Sequence, residues 1–413
     1  NTGLERVISH VATCPRCLET LVAQLDQRRK PSAPAGGVAR ILAWPGSRPE
    51  PAALYPRRVE EFQARVVAFE QERHEARQLW KEIAEQPDAR REIVLRHDPR
   101  AHTWGLVEIL LDASRDLAFD DCRVAERLAE RALTQVDTLD RTYYGESRIA
   151  DLAARCWGRI ANARRMRSDL RGADAAFAEA EGHLRTGTHD PLERALLLDL
   201  KASLRRDQRQ LDEAARLLHR AIEIFDDAGE RHRVGRSMFA LANVYHSAGE
   251  TEQAIAEIQR ALPLIDTVLE PRLEFLARHN LTSMLAEAGH FMEARRMLGE
   301  SMPLYRRFPE LWTKNRLSWV EGNIEAGLGQ LESAERHLLA ARDGFVEQGI
   351  AFDAALVALD LAIVYARWGR NRELGGLAHD TLAIFRSLAV HPEALAALSF
   401  LATAAEREAA SLE

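Results

Sequence analysis

The stretch GETEQA, Gly249–Ala254, sets the period of the chain. Its glycine returns at intervals of 40 residues, at Gly289, Gly329 and Gly369 (289 − 249, 329 − 289 and 369 − 329). Towards the N-terminus, Arg209 and Ser168 occupy the same position, at steps of 40 and 41 residues. A period of this length indicates a repeat architecture, in which one supersecondary unit is copied along the chain.

Apolar residues stand at fixed distances from each of these anchor positions. Four and eight residues before the anchor lie Tyr245, Leu285, Tyr365, Leu241, Leu281 and Leu361, and twelve and sixteen residues after it lie Ala221, Ala261, Ala341, Phe225, Ile265, Tyr305, Phe345 and Phe385. Steps of three and four residues on both sides of a helix-breaking glycine predict two amphipathic helices joined by a tight turn. Since such a pair cannot bury its apolar face alone, the pairs are expected to stack into a solenoid.

One copy of the repeat has LANVY at Leu241–Tyr245, then the glycine turn, Ala254 and Ala261. This pattern resembles the tetratricopeptide repeat (TPR), in a variant longer than the usual repeat of about 34 residues. The resemblance covers roughly residues 100–390. It implies an all-α fold, a right-handed α-solenoid of about seven helix pairs, which we assign to residues 101–390 and follow with a C-terminal capping helix at 391–413.

The bulk composition restricts the class of protein. The chain has 413 residues, 46% of them hydrophobic, and a formal net charge of −7. An acidic balance argues against direct nucleic-acid binding, and no apolar run approaches the roughly 20 residues needed to span a bilayer. Four cysteines without a disulfide-like pattern favour a reducing, cytoplasmic setting. No secretory leader is visible, although the chain starts at Asn1, so that an upstream segment is compatible with the sequence.

Residues 1–30 contain a candidate metal site within a predicted helical hairpin. His10, Cys14 and Cys17 have the spacing HxxxCxxC, which lets an imidazole and two thiolates converge on one structural Zn²⁺. The segment resembles the zinc-binding anti-sigma-factor domain of bacteria, and in that family the fourth ligand comes from an upstream helix. Two alternatives stay open at this point: ordinary packing of the two cysteines, or a thioredoxin-like redox motif.

Two further segments precede the repeats. Residues 31–54 are rich in proline and glycine and are predicted to be a linker. Residues 55–100 are predicted to be a helical cap that includes one long amphipathic helix. This helix either packs on the solenoid or, by the anti-sigma resemblance, embraces a partner.

The TPR resemblance implies that the first helix of each pair lines a concave groove, with the positions three, six and thirteen residues before the anchor pointing inward. Together with aromatic and imidazole side chains ten residues before the anchor, these positions hold Arg155, Asn162, Arg165, Arg236, Phe239, Asn243, His246, His279, Arg316, Trp319 and Asn323. The amides would hydrogen-bond the backbone of an extended peptide, and the arginines would pair with an acidic or phosphorylated segment. The alternative is a groove filled by the chain's own N-terminal helix.

No nucleophile elbow, phosphate-binding loop or dinucleotide motif occurs in the sequence, so we expect no enzyme. The favoured function is a scaffold or adaptor, of a regulatory kind, that binds a protein or peptide segment in the groove. The alternative is a zinc-dependent, anti-sigma-like regulator that holds a sigma factor. A sensor of a small peptide or metabolite is a third hypothesis.

Overall fold

The computed structural model describes residues 54–118, 121–377 and 381. These residues form helices and turns, and none of them lies in a β-strand. The chain divides into two compact units, residues 1–208 and 209–413, which are described separately. The predicted zinc hairpin (1–30), most of the linker (31–54) and the C-terminal capping helix (391–413) lie outside the described residues.

Unit 1 begins with a long helix and continues in antiparallel helix pairs. Its elements are α1 (Leu54–Ile83), α2 (Asp88–His97), a 3₁₀ turn (Pro99–Ala101), α3 (Trp104–Leu117), α4 (Cys122–Val136), the short α5 (Arg141–Tyr144), α6 (Glu146–Met166), α7 (Leu170–Thr186) and α8 (Pro191–Asp207). Helix α1 packs against α3, α3 packs against α4, and α6 packs against α7. Buried side chains of α1, α3 and α6, among them Leu79, Leu106 and Leu152, form the main core of this unit.

Unit 2 consists of regular helices, most of them 17 residues long. They are α9 (Leu211–Asp227), α10 (Arg231–Ser247), α11 (Thr251–Ala261) with a 3₁₀ turn (Leu262–Leu264), α12 (Pro271–Glu287), α13 (Phe291–Arg307), α14 (Leu311–Gly327), α15 (Leu331–Glu347) and α16 (Ala351–Trp368). The two helices of each pair pack together, as α10 with α11 and α14 with α15, and each first helix also contacts the first helix of the next pair.

The anchor positions are the left-handed residues that end the first helices. Gly249, Gly289, Gly329 and Gly369 have φ values of 83, 84, 80 and 71°. At the first of them, the amide of Gly249 donates to His246 O at 3.0 Å and the amide of Glu250 donates to Tyr245 O at 2.9 Å, so the last carbonyls of the helix are satisfied. Ser168 and Arg209 adopt the same conformation, with φ values of 67 and 62°, although their Cβ atoms make it costly.

The small and large positions of the repeat behave as the periodicity predicts. The alanines twelve residues after an anchor (Ala221, Ala261 and Ala341) are fully buried, and so are the aromatic residues Phe225 and Phe345 sixteen residues after it. A Cβ atom on Gly322 would lie 2.7 Å from Leu338 Cγ, so α14 and α15 approach closely there. The predicted fold class, an all-α array of TPR-like helix pairs, is therefore confirmed for the described residues. None of the helices described is long and apolar enough to cross a membrane.

Candidate partner-binding face

The predicted groove residues of unit 1 lie on α6 and are joined to α8. Arg155 Nε donates to Glu193 Oε2 at 2.7 Å, and Arg165 Nη1 donates to Asp207 Oδ2 at 2.5 Å. Arg165 also donates to Asn162 Oδ1, at 3.2 and 3.1 Å. Burial lowers the pKa of Arg165, which Asp207 partly offsets. These side chains therefore form a partly buried network between two successive first helices.

In unit 2, the predicted residues of α10 are joined to the start and middle of α12. Arg236 Nη1 donates to Glu270 Oε1 at 2.9 Å, and Glu270 is the residue directly before α12. Asn280 Nδ2 donates to Asn243 Oδ1 at 2.8 Å, while Asn243 Nδ2 donates to the backbone oxygen of Phe239 at 3.0 Å. The side chain of Asn243 is therefore engaged with the next first helix, and its hydrogen bond to a peptide backbone stays a prediction.

The two predicted histidines of unit 2 have opposite environments. His246 Nε2 lies 2.5 Å from Glu287 Oε2, and this contact raises the pKa of His246. His279 is only 3% exposed, and its Nδ1 lies 2.7 Å from Tyr305 Oη. Burial lowers the pKa of His279 to about 3, so its ring is neutral. The expectation that His279 presents its ring to a partner is wrong, because this side chain belongs to the core.

Helices α14 and α16 carry the remaining predicted residues. Arg316 Nη2 donates to Asp353 Oδ2 at 3.0 Å. Trp319 Nε1 and Asn323 Nδ2 both donate to one oxygen, Asp360 Oδ2, at 2.6 and 3.0 Å. Burial raises the pKa of Asp360, although the two donors oppose that shift. This network (Trp319, Asn323 and Asp360) is called the α14–α16 network below.

The guanidinium of Arg316 is further fixed by two indole rings. Its Cζ lies 4.9 Å from the ring centroid of Trp312 and 5.8 Å from that of Trp319. This stacking is favourable because the face of an indole ring is electron-rich. Arg316 is therefore held by both charge and aromatic contacts and is not a freely moving cation.

Three registers join successive first helices, of which the first and the third occur in both units and the second in unit 2. An arginine thirteen residues before its anchor meets a carboxylate sixteen before the next anchor, as in Arg155–Glu193 and Arg316–Asp353. An amide six residues before its anchor meets a polar residue nine before the next one, as in Asn243–Asn280 and Asn323–Asp360. A basic residue three before its anchor meets an acid two before the next, as in Arg165–Asp207 and His246–Glu287.

The carboxylates of these pairs were absent from the sequence-based site. The four predicted arginines each meet an acid on, or directly before, the next first helix, at Glu193, Asp207, Glu270 and Asp353. An acidic partner would have to displace a resident carboxylate from any of them. The preference for an acidic segment stays a prediction, and the excess of positive charge on which it rests is cancelled by these acids. Comparing the positions two and sixteen before each anchor could have revealed Glu193, Asp207 and Asp353, but not Glu270, which lies nineteen residues before Gly289 (289 − 270).

The predicted zinc ligands His10, Cys14 and Cys17 lie outside the described residues, so the zinc site and the sigma-factor alternative stay predictions. Within the described part of the chain, no group of three or more His, Cys, Asp or Glu residues is placed to hold a metal ion. Cys156 is buried there, and burial raises the pKa of its thiol.

Comparison with known proteins agrees with this fold. The tetratricopeptide repeat family model matches residues 193–267, a stretch that contains α9, α10 and α11. The TPR resemblance is therefore supported for these repeats. No curated protein matches the sequence.

Several solved structures share the fold at low sequence identity. Aspartyl phosphate phosphatase F from Bacillus subtilis has a TM-score of 0.52 and 13% identity, over 92% of this chain and 93% of that chain. A Rap protein complexed with competence and sporulation factor has a TM-score of 0.50 and 15% identity, over 74% and 99% of the two chains. NprR in complex with its cognate peptide NprX has a TM-score of 0.52 and 15% identity, over 71% and 82%. At these identities the likeness establishes the fold alone.

Proposed function

We propose that this protein is a non-enzymatic interaction adaptor, which binds an extended segment of a protein or peptide partner on the first helices of unit 2. The α14–α16 network carries the proposal. It holds an indole and an amide in fixed positions beside an exposed aliphatic side chain, Ile363, which is 46% exposed. Such a combination of a rigid aromatic group, an amide and an open apolar contact is what peptide-binding surfaces use.

The amide of Asn323 supports this function in a specific way. Its Nδ2 donates to Asp360, which fixes the orientation of the side chain, and no donor among the described residues contacts its Oδ1. That oxygen can accept a hydrogen bond from a backbone N–H of an extended segment. Ile363 lies three residues after Asp360 and therefore on the same face of α16. The Rap protein and NprR structures above were solved with a bound factor and a bound peptide, respectively, which is consistent with this use of the fold.

The test compares two matched substitutions in unit 2. Ile363→Glu places a charge on the first-helix face, the surface formed by the first helices of unit 2 around Asn323 and Ile363. Val346→Glu places the same charge on the second helix α15, where Val346 is 59% exposed. Both parent side chains are exposed, so neither change should unfold the protein. The full chain and both variants are used to capture partners from the native host, and the affinity of the recovered partner is then measured by fluorescence anisotropy.

We expect Ile363→Glu to weaken binding at least about tenfold, because it buries a charge at the contact, and Val346→Glu to bind like the parent. Equal affinities of the two variants would contradict the proposal. Unchanged circular-dichroism melting curves are required of both variants before the affinities are compared.

A further inference from the structure

Unit 1 contains a cleft that the proposed adaptor function does not use. It lies between α1, α3, α5, the N-terminal half of α6 and the start of α8, and it has about 580 Å³ of open space, including solvent at its mouth. Phe69, Trp104 and Tyr144 form an aromatic wall, with ring centroids 6.0 Å apart for Phe69–Tyr144 and 5.9 Å apart for Trp104–Tyr144. Because this space includes open solvent, the chemistry of the walls, and not the volume, indicates what the cleft can hold.

The polar groups of the aromatic wall are already hydrogen-bonded to side chains of unit 1. Tyr144 Oη donates to Glu72 Oε2 at 2.9 Å, and Trp104 Nε1 donates to Glu108 Oε1 at 3.0 Å. The wall therefore offers ring carbon atoms, against which an apolar or aromatic group can pack.

With one exception, the charged residues that line the cleft are engaged inside unit 1. The pairs are Arg73–Glu108, Arg155–Glu193, Asp151–Thr188 and Asp190 with the amide of Leu192. In each of these contacts, the charged side chain forms a hydrogen bond with another side chain or with a backbone amide. A ligand gains little from groups whose partners it would have to displace.

Arg148 is the exception. It lines the cleft half-buried, and no hydrogen bond or ion pair joins it to any of the described residues. Burial lowers the pKa of Arg148, and the like charge of Arg65 lowers it further. Arg148 also lies in the first turn of α6, whose N-cap, Gly145, provides no side-chain cap. A cation is unfavourable at this positive end of a helix dipole, so three separate features call for an anion beside Arg148.

The charge balance of the cleft limits the kind of anion. Three arginines (Arg73, Arg148 and Arg155) and three acids (Asp151, Asp190 and Glu193) line it, so its formal charge is zero. A polyanion such as a nucleoside triphosphate would meet the three carboxylates, and Arg148 alone is available to compensate it. A single carboxylate matches the one unpaired guanidinium, with which it can form two parallel hydrogen bonds.

We propose that this cleft binds a ligand with one carboxylate next to an apolar or aromatic group, the carboxylate on Arg148 and the apolar group against Phe69 and Trp104. This chemistry occurs in free aromatic or aliphatic acids and at the C-terminus of a peptide. The site is confined to unit 1, whereas the test of the adaptor function alters unit 2. Failure of one proposal therefore leaves the other intact.

The experiment measures binding of N-acetyl-phenylalanine to the full chain by ligand-observed NMR and calorimetry. The control ligand is N-acetyl-phenylalaninamide, which has the same ring but no charge. Binding of the acid with a dissociation constant in the range of about 1 mM is expected, and binding of the amide at least tenfold weaker. Equal binding of acid and amide would overturn the proposal, and so would no detectable binding of the acid at about 10 mM.

Variants assign the binding to this side chain. Arg148→Gln should weaken binding of the acid by about tenfold to a hundredfold, since a charge-assisted hydrogen-bond pair is lost, and Arg148→Lys should retain part of the affinity. The matched control is Arg141→Gln, which removes an exposed arginine of α5 that pairs with Glu146. Parent-like binding by Arg148→Gln, or an equal loss in Arg141→Gln, would refute the assignment.

Two further probes define the ligand. Inorganic phosphate should compete only weakly, and competition as strong as that of the acid would overturn the single-carboxylate assignment. An acetylated pentapeptide of four alanines and a C-terminal phenylalanine distinguishes the sources. Tighter binding of this peptide than of the free acid supports a chain terminus as the ligand, and equal binding supports a small acid.

Discussion

His279 should make unit 2 less stable as the pH falls, because its ring is buried in the neutral form. The ring lies 6.2 Å from that of Phe275 and 6.0 Å from that of Tyr305, centroid to centroid, and Nδ1 contacts Tyr305 Oη at 2.7 Å. No carboxylate contacts it in the described part of the chain, and the positive charge of Arg316 opposes protonation. Protonation of the folded protein would therefore bury an uncompensated cation.

The magnitude follows from the two pKa values. In the unfolded chain the imidazole titrates near 6.5, whereas in the folded protein burial lowers its pKa to about 3. A group with a lowered pKa binds fewer protons in the folded state, so acid favours unfolding between the two values. For one site, lowering the pH from about 7.5 to about 5 should cost about 2 kcal/mol. Above about pH 7 the contribution of His279 to the pH dependence should vanish.

The assay is amide hydrogen exchange of α12 and α13 in the full chain, read by mass spectrometry at both pH values and corrected for intrinsic exchange rates. The free energy of opening is compared between the parent and His279→Gln, whose amide stays neutral. The parent should lose about 2 kcal/mol more than the variant on acidification. Equal losses would refute the reasoning.

A second histidine provides a control of opposite sign. Glu287 raises the pKa of His246, so the pair stabilises the folded state below about pH 6.5 and that contribution disappears as the pH rises through the folded pKa. His246→Gln should therefore increase the loss on acidification, whereas His279→Gln decreases it.

Two further pairs of substitutions test the packing and the turns of the repeats. Asp360→Leu should lower the free energy of unfolding by about 2 kcal/mol, because the donors on Trp319 and Asn323 lose their acceptor. Asp360→Asn keeps an acceptor oxygen and removes a charge that burial disfavours, so it should stay within about 1 kcal/mol of the parent in urea denaturation. Equal effects of the two changes would show that these hydrogen bonds contribute nothing. Arg209→Gly should raise the melting temperature, since relief of about 1–2 kcal/mol of left-handed strain exceeds the added chain entropy of about 0.4–1 kcal/mol. Gly249→Ala should lower it, and a lower melting temperature for Arg209→Gly would contradict the strain argument.

The helices and their turns were predictable because they depend on local chemistry. A left-handed residue, usually glycine, can end a helix wherever the chain must turn sharply. The anchor positions can therefore be found from the regular spacing of the glycines in the sequence. Even Ser168 and Arg209, which are poor left-handed residues, were located by their distance from the glycines. The buried alanines and aromatic residues follow from the same period.

The partners of the predicted site residues were not predictable in the same way. Which residue faces Asn323 depends on how far one first helix is displaced along the next. The sequence of a single repeat does not specify that displacement. The structure shows an offset of three positions, from six before one anchor to nine before the next, at both Asn243 and Asn323. The prediction for His279 was wrong for a related reason. It lies ten residues before its anchor, as Phe239 and Trp319 do, but Phe275 and Tyr305 enclose its ring.

The distribution of ion pairs changes where charge can act in recognition. On the first-helix face, the guanidinium of Arg316 is fixed between Asp353 and two indoles, so a partner there gains more from Ile363 and the free oxygen of Asn323 than from charge. In unit 1, by contrast, Arg148 has no partner among the described residues and lies beside an apolar wall. Since screening by salt weakens unneutralised charges most, binding at the first-helix face should depend little on ionic strength, and binding in the cleft should depend on it strongly. The two surfaces can therefore be distinguished in one protein without any substitution.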